Sequence, residues 1–418
     1  MNNDLAEMAL QVGVAVANHY SSVVIGSDTR TSSEAMKHAV SAGLLFGGGK
    51  YADAGVVPTP TVGFAAREFD AGVMITASHN PPEYNGIKLL NPNGSAFDGR
   101  QRQQMEKLLQ DYSYHVAPWD KIGNSNIYAD AIERHINRIL QDFPTRLKLK
   151  VVVDCGCGAT SLVTPYLLQK MGCEVIAVNC YPSGFFPHDA EPVASNLSDL
   201  MKTTRELGAD VGIAHDGDGD RLMAVDDRGR FVSGDQLLAI LAQQTGAKTV
   251  VTTIDASMII EEMGFKVKRT PVGDIYVSEE LQKGGDFGGE PSGAWVFPGI
   301  SLCPDGIYAA ARIAAIASQQ KLSLLADAIP EYPLRRGSTS SHGVVISKLE
   351  KQLMALDPLS MSNTDGMRLA FKDGWLLVRP SGTEPKIRLT AEAKSEARLR
   401  QLYDRGIQAI EQSTEGNR

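Results

Sequence analysis

Short apolar runs recur along the chain, and each empties into a polar segment rich in glycine, proline or asparagine. Val73-Met74-Ile75, Val211-Gly212-Ile213-Ala214 and Trp375-Leu376-Leu377-Val378 read as strands, and Lys148–Val153 and Thr249–Ile254 read as strands that open new units. Apolar residues at helical spacing predict helices over Ile132–Leu140 and Ala397–Ile410, near Val277–Leu281, and over the amphipathic opening MNNDLAEMALQVGVAVA. This alternation of strand and helix points to an α/β protein.

Part of the pattern repeats. VVPTPTVGFAAREFDAGVMI, EPVASNLSDLMKTTRELGADVGI and TPVGDIYVSEELQKGGDFGG each run from a proline-polar loop through a helical stretch and Gly/Asp punctuation into a motif. From Pro58 to Ser78 is 20 residues, from Pro192 to Asp216 is 24 and from Pro271 to Glu290 is 19, as for one supersecondary unit used three times. Similar units should present similar loop ends.

The loops at those ends carry the candidate chemistry. After the first run comes TASHNPPEYNGIK, in which Pro81 and Pro82 bias the chain away from helix and Asn85-Gly86 signals a turn. Ser78 is thereby presented as a nucleophile or group carrier, the bland alternative being a polar turn at a strand end. After the second run comes HDGDGDR, with Asp216, Asp218 and Asp220 separated only by glycine. At ~4 Å each like-charge pair costs on the order of 4 kcal/mol at an effective dielectric of 20. The cluster must therefore splay into water or be neutralised by a cation, and oxygen-only ligands suit a hard divalent ion. A calcium EF-hand fails, because its sixth position is Arg221 rather than glycine and its twelfth is Asp227 rather than glutamate. Magnesium, which prefers few carboxylates plus a phosphate oxygen, fits better.

FGGEPSG places Glu290 and Ser292 in a glycine-rich turn, where a carboxylate and a hydroxyl suit paired sugar hydroxyls; a plain β-turn is the competing reading. RPSGTEPKIR sets Arg379, Lys386 and Arg388 around Ser381-Gly382-Thr383, a set able to nest a phosphate, or else a solvated turn with ordinary surface charges.

Taken together, in order and over nearly the whole chain, these four motifs resemble those of the α-D-phosphohexomutases, the group containing phosphoglucomutases, phosphomannomutases and phosphoglucosamine mutases. The resemblance implies three similar α/β domains with mixed sheets and a smaller α+β C-terminal domain around a central cleft. It implies a phosphoserine at Ser78, magnesium held by Ser78, Asp216, Asp218 and Asp220, and a catalytic set of Ser78, His79, Lys88 and Arg221. Sugar and phosphate contacts fall to Gly273, Asp274, Glu290, Ser292, Arg379, Ser381, Gly382, Thr383 and Arg388. A hexose 1,6-bisphosphate would be intermediate and activator, turning end for end between two transfers. Lys88 is expected to handle a proton or stabilise charge, because burial beside a metal would lower its pKa; a surface ammonium is the alternative. A Ser-His hydrolase is not expected: His79 on an extended backbone would point away from Ser78, and no G-x-S-x-G elbow is present.

Charge and Pro/Gly shifts near Trp119–Asn126, Phe231–Asp235 and Glu331–Gly337 predict domains at 1–125, 126–233, 234–331 and 332–418. At 418 residues, 43% hydrophobic and 22% charged, several cores are expected. A formal charge of −8 argues against a nucleic-acid surface, and no apolar run is long enough for a membrane span. Five cysteines, two of them in Cys155-x-Cys157, form no disulfide framework, so a cytoplasmic protein is expected; the resemblance implies a phosphosugar as its small-molecule partner, and a monomer or homodimer is expected.

The chain departs from the family's pattern twice. Members usually open with a strand and a loop like FGTxGIRG, whereas this sequence begins at what looks like the following helix; a start at an internal Met, a shortened chain or a lost edge strand would each explain it. Many members also place histidine after the sugar-loop Ser-Gly, where Ala294-Trp295 stands here. GEPSGAW with CPDGIY downstream is similar to archaeal-type phosphoglucosamine mutases, which makes glucosamine 6-phosphate the expected substrate, the carboxylate favouring an ammonium. A phosphomannomutase or phosphoglucomutase, a non-catalytic phosphosugar-binding protein and a magnesium-dependent phosphatase are the alternatives.

Overall fold

The computed structural model describes residues 4–143, 146–380 and 385–414. Three of its four sheets share one plan. In the first, β1 (Ser22–Ser27) lies between β2 (Lys50–Val56) and β3 (Ala71–Ile75), both parallel to it, and β4 (Ile87–Leu90) runs antiparallel outside β3. The short β5 (Ser125–Ile127) adds beyond β2, so the first sheet extends past the expected boundary at residue 125.

The second sheet repeats the order with β6 (Lys150–Asp154), β7 (Glu174–Val178), β8 (Val211–His215) and β9 (Leu222–Val225), plus β10 (Phe231–Val232) outside β9. In the third, β11 (Thr249–Thr253) pairs parallel with β12 (Lys266–Thr270) and β13 (Phe287–Gly289), and β14 (Trp295–Val296) returns antiparallel. The threefold unit seen in the sequence is therefore a helix feeding the third strand of each sheet. Ser78, Asp216 and Glu290 each follow that strand's carboxyl end. Every residue of β3 and of β8 is buried, because the crossover connections cover the sheets and parallel strands have no wet side.

The fourth sheet is wholly antiparallel: β15 (Leu334–Ser340), β16 (Ser360–Ser362), β17 (Met367–Phe371), β18 (Gly374–Pro380) and β19 (Lys386–Ala393), ordered β15-β19-β18-β17-β16. Leu349 and Leu353 from one helix and Leu399, Leu402 and Ile410 from another pack with Leu376, Val378 and Leu389. Trp375 and Leu377 instead meet Ile254, at the end of β11.

The units are locked together by apolar and polar contacts. One apolar cluster runs from Val151 and Ile213 of the second sheet to Phe287 and Trp295 of the third. His135 is fully buried and joins three units. One ring nitrogen meets Thr61 Oγ1 at 3.1 Å in the helix Thr59–Ala65, and the other meets Asp305 Oδ2 at 3.0 Å. Asp305 in turn caps the helix Gly306–Gln319 through the N–H groups of Ile307 and Tyr308. These links hold the loops after β3, β8 and β13 over one cleft.

Candidate active site

Ser78 leaves β3 with φ 50, a left-handed conformation that turns its hydroxyl toward the second unit. Its Oγ donates to Asp216 Oδ2 at 2.7 Å. The extended backbone expected around His79 is not what forms: the turn at Ser78 brings His79 into the same cleft, although the hydroxyl bonds to aspartate and not to imidazole. The cleft has a volume of 380 Å³, and its walls include Thr76, Ser78, His79, Lys88, Asp220, Arg221, Asp274, Glu290 and Ala294.

Asp216, Asp218 and Asp220 do not splay into water. All three are buried, with one oxygen of each within 4.8 Å of the others. Two glycines make this possible. A Cβ on Gly217 would lie 2.6 Å from the Ser78 carbonyl oxygen, so only glycine lets the two loops approach, and Gly219 sits at φ +74. Asp216 Oδ1 accepts from the backbone N–H of Gly219 and of Arg221, while Thr59 Oγ1 donates to Asp218.

The charge is compensated by Lys88, whose ammonium sits 2.7 Å from Asp218 and 2.6 Å from Asp220. Burial alone would lower its pKa, but the carboxylates of Asp218, Asp220 and Asp274 hold it well above the ordinary lysine value. Burial also works on the triad, helped by mutual repulsion: it raises Asp216 well above the carboxylate range and Asp220 to about 6. Asp218 resists burial through Lys88 and falls to about 2. Asp218 Oδ1 remains buried without a hydrogen-bond partner. An oxygen-only set with an orphaned carboxylate oxygen fits a hard divalent cation.

Arg221 adds a second positive charge beside the triad. Burial disfavours its charge, yet Asp216, Asp220, Glu290 and Glu191 together raise its pKa. Its backbone bridges to Ala294, Leu222 N donates to Gly293 O, and the Trp295 indole donates to Leu222 O. Ala294 thus stands where histidine is common, and the tryptophan next to it ties the second loop to the third. Glu290 accepts from Gly273 N at 2.9 Å, and burial with the nearby Asp274 carboxylate raises its pKa to about 7. Ser292 is half-buried and does not line the cleft beside Ser78. His79 is pushed down by burial and by Arg221, which leaves a neutral ring at pH 7, and its buried Nδ1 has no partner.

Ser381, Gly382 and Thr383 lie outside the described residues. Arg379 and Arg388 face one another across β18 and β19. Arg379 pairs with Asp365 at 2.6 Å, and Asp365 also accepts from Val272 N, next to Gly273. Two contributors were not picked out in the sequence, namely Arg30 and Thr59. Arg30 stands just beyond β1 in SDTRTSS, and the rule that α/β sites form at the carboxyl ends of parallel strands would have flagged it.

Comparison with known proteins agrees with this geometry. The chain matches all four domains of the phosphoglucomutase/phosphomannomutase family: α/β/α domain I at residues 1–115, domain II at 126–229, domain III at 233–332 and the C-terminal domain at 344–408. The chain belongs to that family, and with it to the phosphohexomutase enzymes. Among its relatives, a "Probable phosphoglucosamine mutase" of Methanocella arvoryzae is 48% identical over 95% of this chain and 92% of its own length. The phosphoglucosamine mutase of Methanococcus maripaludis is 40% identical over 96% and 95% respectively. A solved phosphoglucomutase/phosphomannomutase family protein from Burkholderia thailandensis superposes with a TM-score of 0.87 at 27% identity, covering 98% of this chain and 94% of that one. No described helix is long and apolar enough to cross a membrane.

Proposed function

We propose that this enzyme interconverts hexosamine 6-phosphate and 1-phosphate, with glucosamine 6-phosphate as its preferred substrate. The observation that carries the reading is the 2.7 Å contact between Ser78 Oγ and Asp216, which joins a presented hydroxyl to a buried carboxylate triad. Phosphorylated Ser78 gives its phosphoryl group to the sugar's 1-hydroxyl; the P–Oγ bond breaks as the P–O1 bond forms. The resulting 1,6-bisphosphate turns end for end and returns its 6-phosphoryl group to Ser78. The same bisphosphate, added from outside, primes the serine.

Lys88 and Arg221 both lie in the cleft beside the triad, where their charges can offset the negative charge of the transferred group. His79, held neutral, can accept a proton. Asp216, Asp218 and Asp220, with the Ser78 phosphate, would hold magnesium, which supplies further charge neutralisation at the phosphoryl group. Gly273, Asp274, Glu290 and Ser292 are assigned to the sugar, and Arg379, Ser381, Gly382, Thr383 and Arg388 to the phosphate that is not reacting. An amino sugar is favoured because the cleft wall carries Asp274 and Glu290 together, two carboxylates suited to an ammonium group. The two phosphoglucosamine mutase relatives support the same choice.

The test is a mutase assay with glucosamine, glucose and mannose 6-phosphates, primed with bisphosphate, alongside intact mass measurement. The highest kcat/KM is expected for glucosamine 6-phosphate, with one phosphate on the wild type and none on Ser78→Ala. A higher kcat/KM for glucose or mannose phosphate overturns the substrate, and free inorganic phosphate as main product overturns the reaction.

A further inference from the structure

Arg30 is 2% exposed, does not itself line the cleft and makes no hydrogen bond to the aspartate triad. Its guanidinium nevertheless spends all five N–H donors. Nε donates to Asp28 Oδ2 at 2.9 Å, Nη1 to the carbonyls of Pro81 at 2.6 Å and Tyr84 at 3.0 Å, and Nη2 to the carbonyls of Ser78 and Asn80, both at 2.7 Å. Four carbonyls of the phosphoserine loop therefore converge on one side chain, and one of them belongs to the nucleophile itself. We propose that Arg30 is the positioning residue of this loop, fixing Ser78 for phosphoryl transfer without touching substrate; the inference rests on the function proposed above.

Two further observations make the arginine a junction between units. The guanidinium carbon lies 5.1 Å from the centre of the Phe186 ring, which comes from the second unit. Asp28 also accepts from Ser33 Oγ and from Thr76 Oγ1, and Thr76 Oγ1 in turn accepts from Ser78 N. Ser78 is thus held at its N–H through Thr76 and Asp28, and at its carbonyl by Arg30 directly. Proline at 81 and 82 removes two backbone donors from the loop, so little of the loop's own backbone can satisfy these carbonyls. A lysine has three donors at a point and cannot reproduce a five-donor fork.

The test compares wild type, Arg30→Lys and Arg30→Ala as full-length protein. For Arg30→Lys, kcat is expected to fall by about 100-fold with KM changed by less than about threefold, since the loop is displaced while the sugar contacts remain. Methylguanidinium is expected to restore part of the lost kcat in Arg30→Ala and none in Ser78→Ala. Amide exchange over residues 78–86 should quicken in both Arg30 variants while the other units keep wild-type protection. A loss carried by KM, exchange that quickens equally throughout the chain, or unchanged loop exchange overturns the proposal. Should the wild type turn over none of the three sugar phosphates, the function proposed above fails, while loop exchange still decides whether Arg30 holds the loop.

Discussion

Replacing Gly217 with alanine should impair turnover more than binding, and the distances say why. The added Cβ would stand 2.6 Å from the Ser78 carbonyl oxygen, whereas ordinary contact begins near 3.4 Å, so something must move by 3.4 − 2.6 = 0.8 Å. Neither side yields easily. The Ser78 carbonyl is held by Arg30 at 2.7 Å, and the Gly217 carbonyl accepts from Ala159 N at 2.9 Å. A shift of that size would stretch the 2.7 Å bond from Ser78 to Asp216 as far as about 3.5 Å, the limit of a hydrogen bond. Overpacking of this kind costs about 1–3 kcal/mol of stability. A misplacement of about 1 Å at a reacting group costs about 100-fold in rate. Steady-state kinetics on bisphosphate-primed protein should therefore show kcat down by about two orders of magnitude with KM little changed. Intact mass should show slower phosphorylation of Ser78. Wild-type kcat in a folded Gly217→Ala protein, or a loss carried by KM, would refute the close-approach reasoning.

Two further outcomes follow from the charges. Glu290 is buried with its pKa raised from 4.5 to about 7, so its folded form binds a proton that the unfolded form releases. Its contribution is fully present below pH 4.5 and is lost as pH rises through about 7, a loss of about 3 kcal/mol. Glu290→Gln keeps an acceptor for Gly273 N and should be more stable than wild type at pH 8.5 but not at pH 4, as read by denaturant melts; equal stability at pH 8.5 would count against it. Lys88→Met removes the ammonium from Asp218 and Asp220, whose side chains are 0% and 8% exposed. The metal-free variant should lose about 3 kcal/mol. Millimolar magnesium chloride should raise its melting temperature more than that of wild type, and a variant as stable as wild type without magnesium would show that the lysine is not the compensating charge.

Much of the site was legible because its chemistry is local. A serine between an apolar run and two prolines must be presented, and aspartates alternating with glycine cannot be a core strand. The three spacings from proline to motif foreshadowed three sheets of one strand order. Legibility ended where partners are distant in sequence. The two carboxylates that pair with Lys88 and hold its charge lie more than a hundred residues away. His79 was expected to point away from Ser78, until the left-handed turn brought it into the cleft. The strand β5, which follows 125 and pairs with β2, was not read, because a three-residue exposed strand has no apolar pattern.

From its residues alone the chain marks a presented hydroxyl, a carboxylate triad, a glycine-rich turn carrying Glu290 and Ser292, and a segment flanked by Arg379 and Arg388, since each is written within a dozen consecutive positions. Folding decided everything that depends on long-range closure: that Arg30 gathers four carbonyls, that Gly217 lets two loops touch, and that His135 pins three units around one cleft. The physical reason is one of range. Turn and strand preferences act over a few residues, whereas hydrogen bonds, contact distances and pKa values are set by whichever groups the packed core brings within a few ångströms.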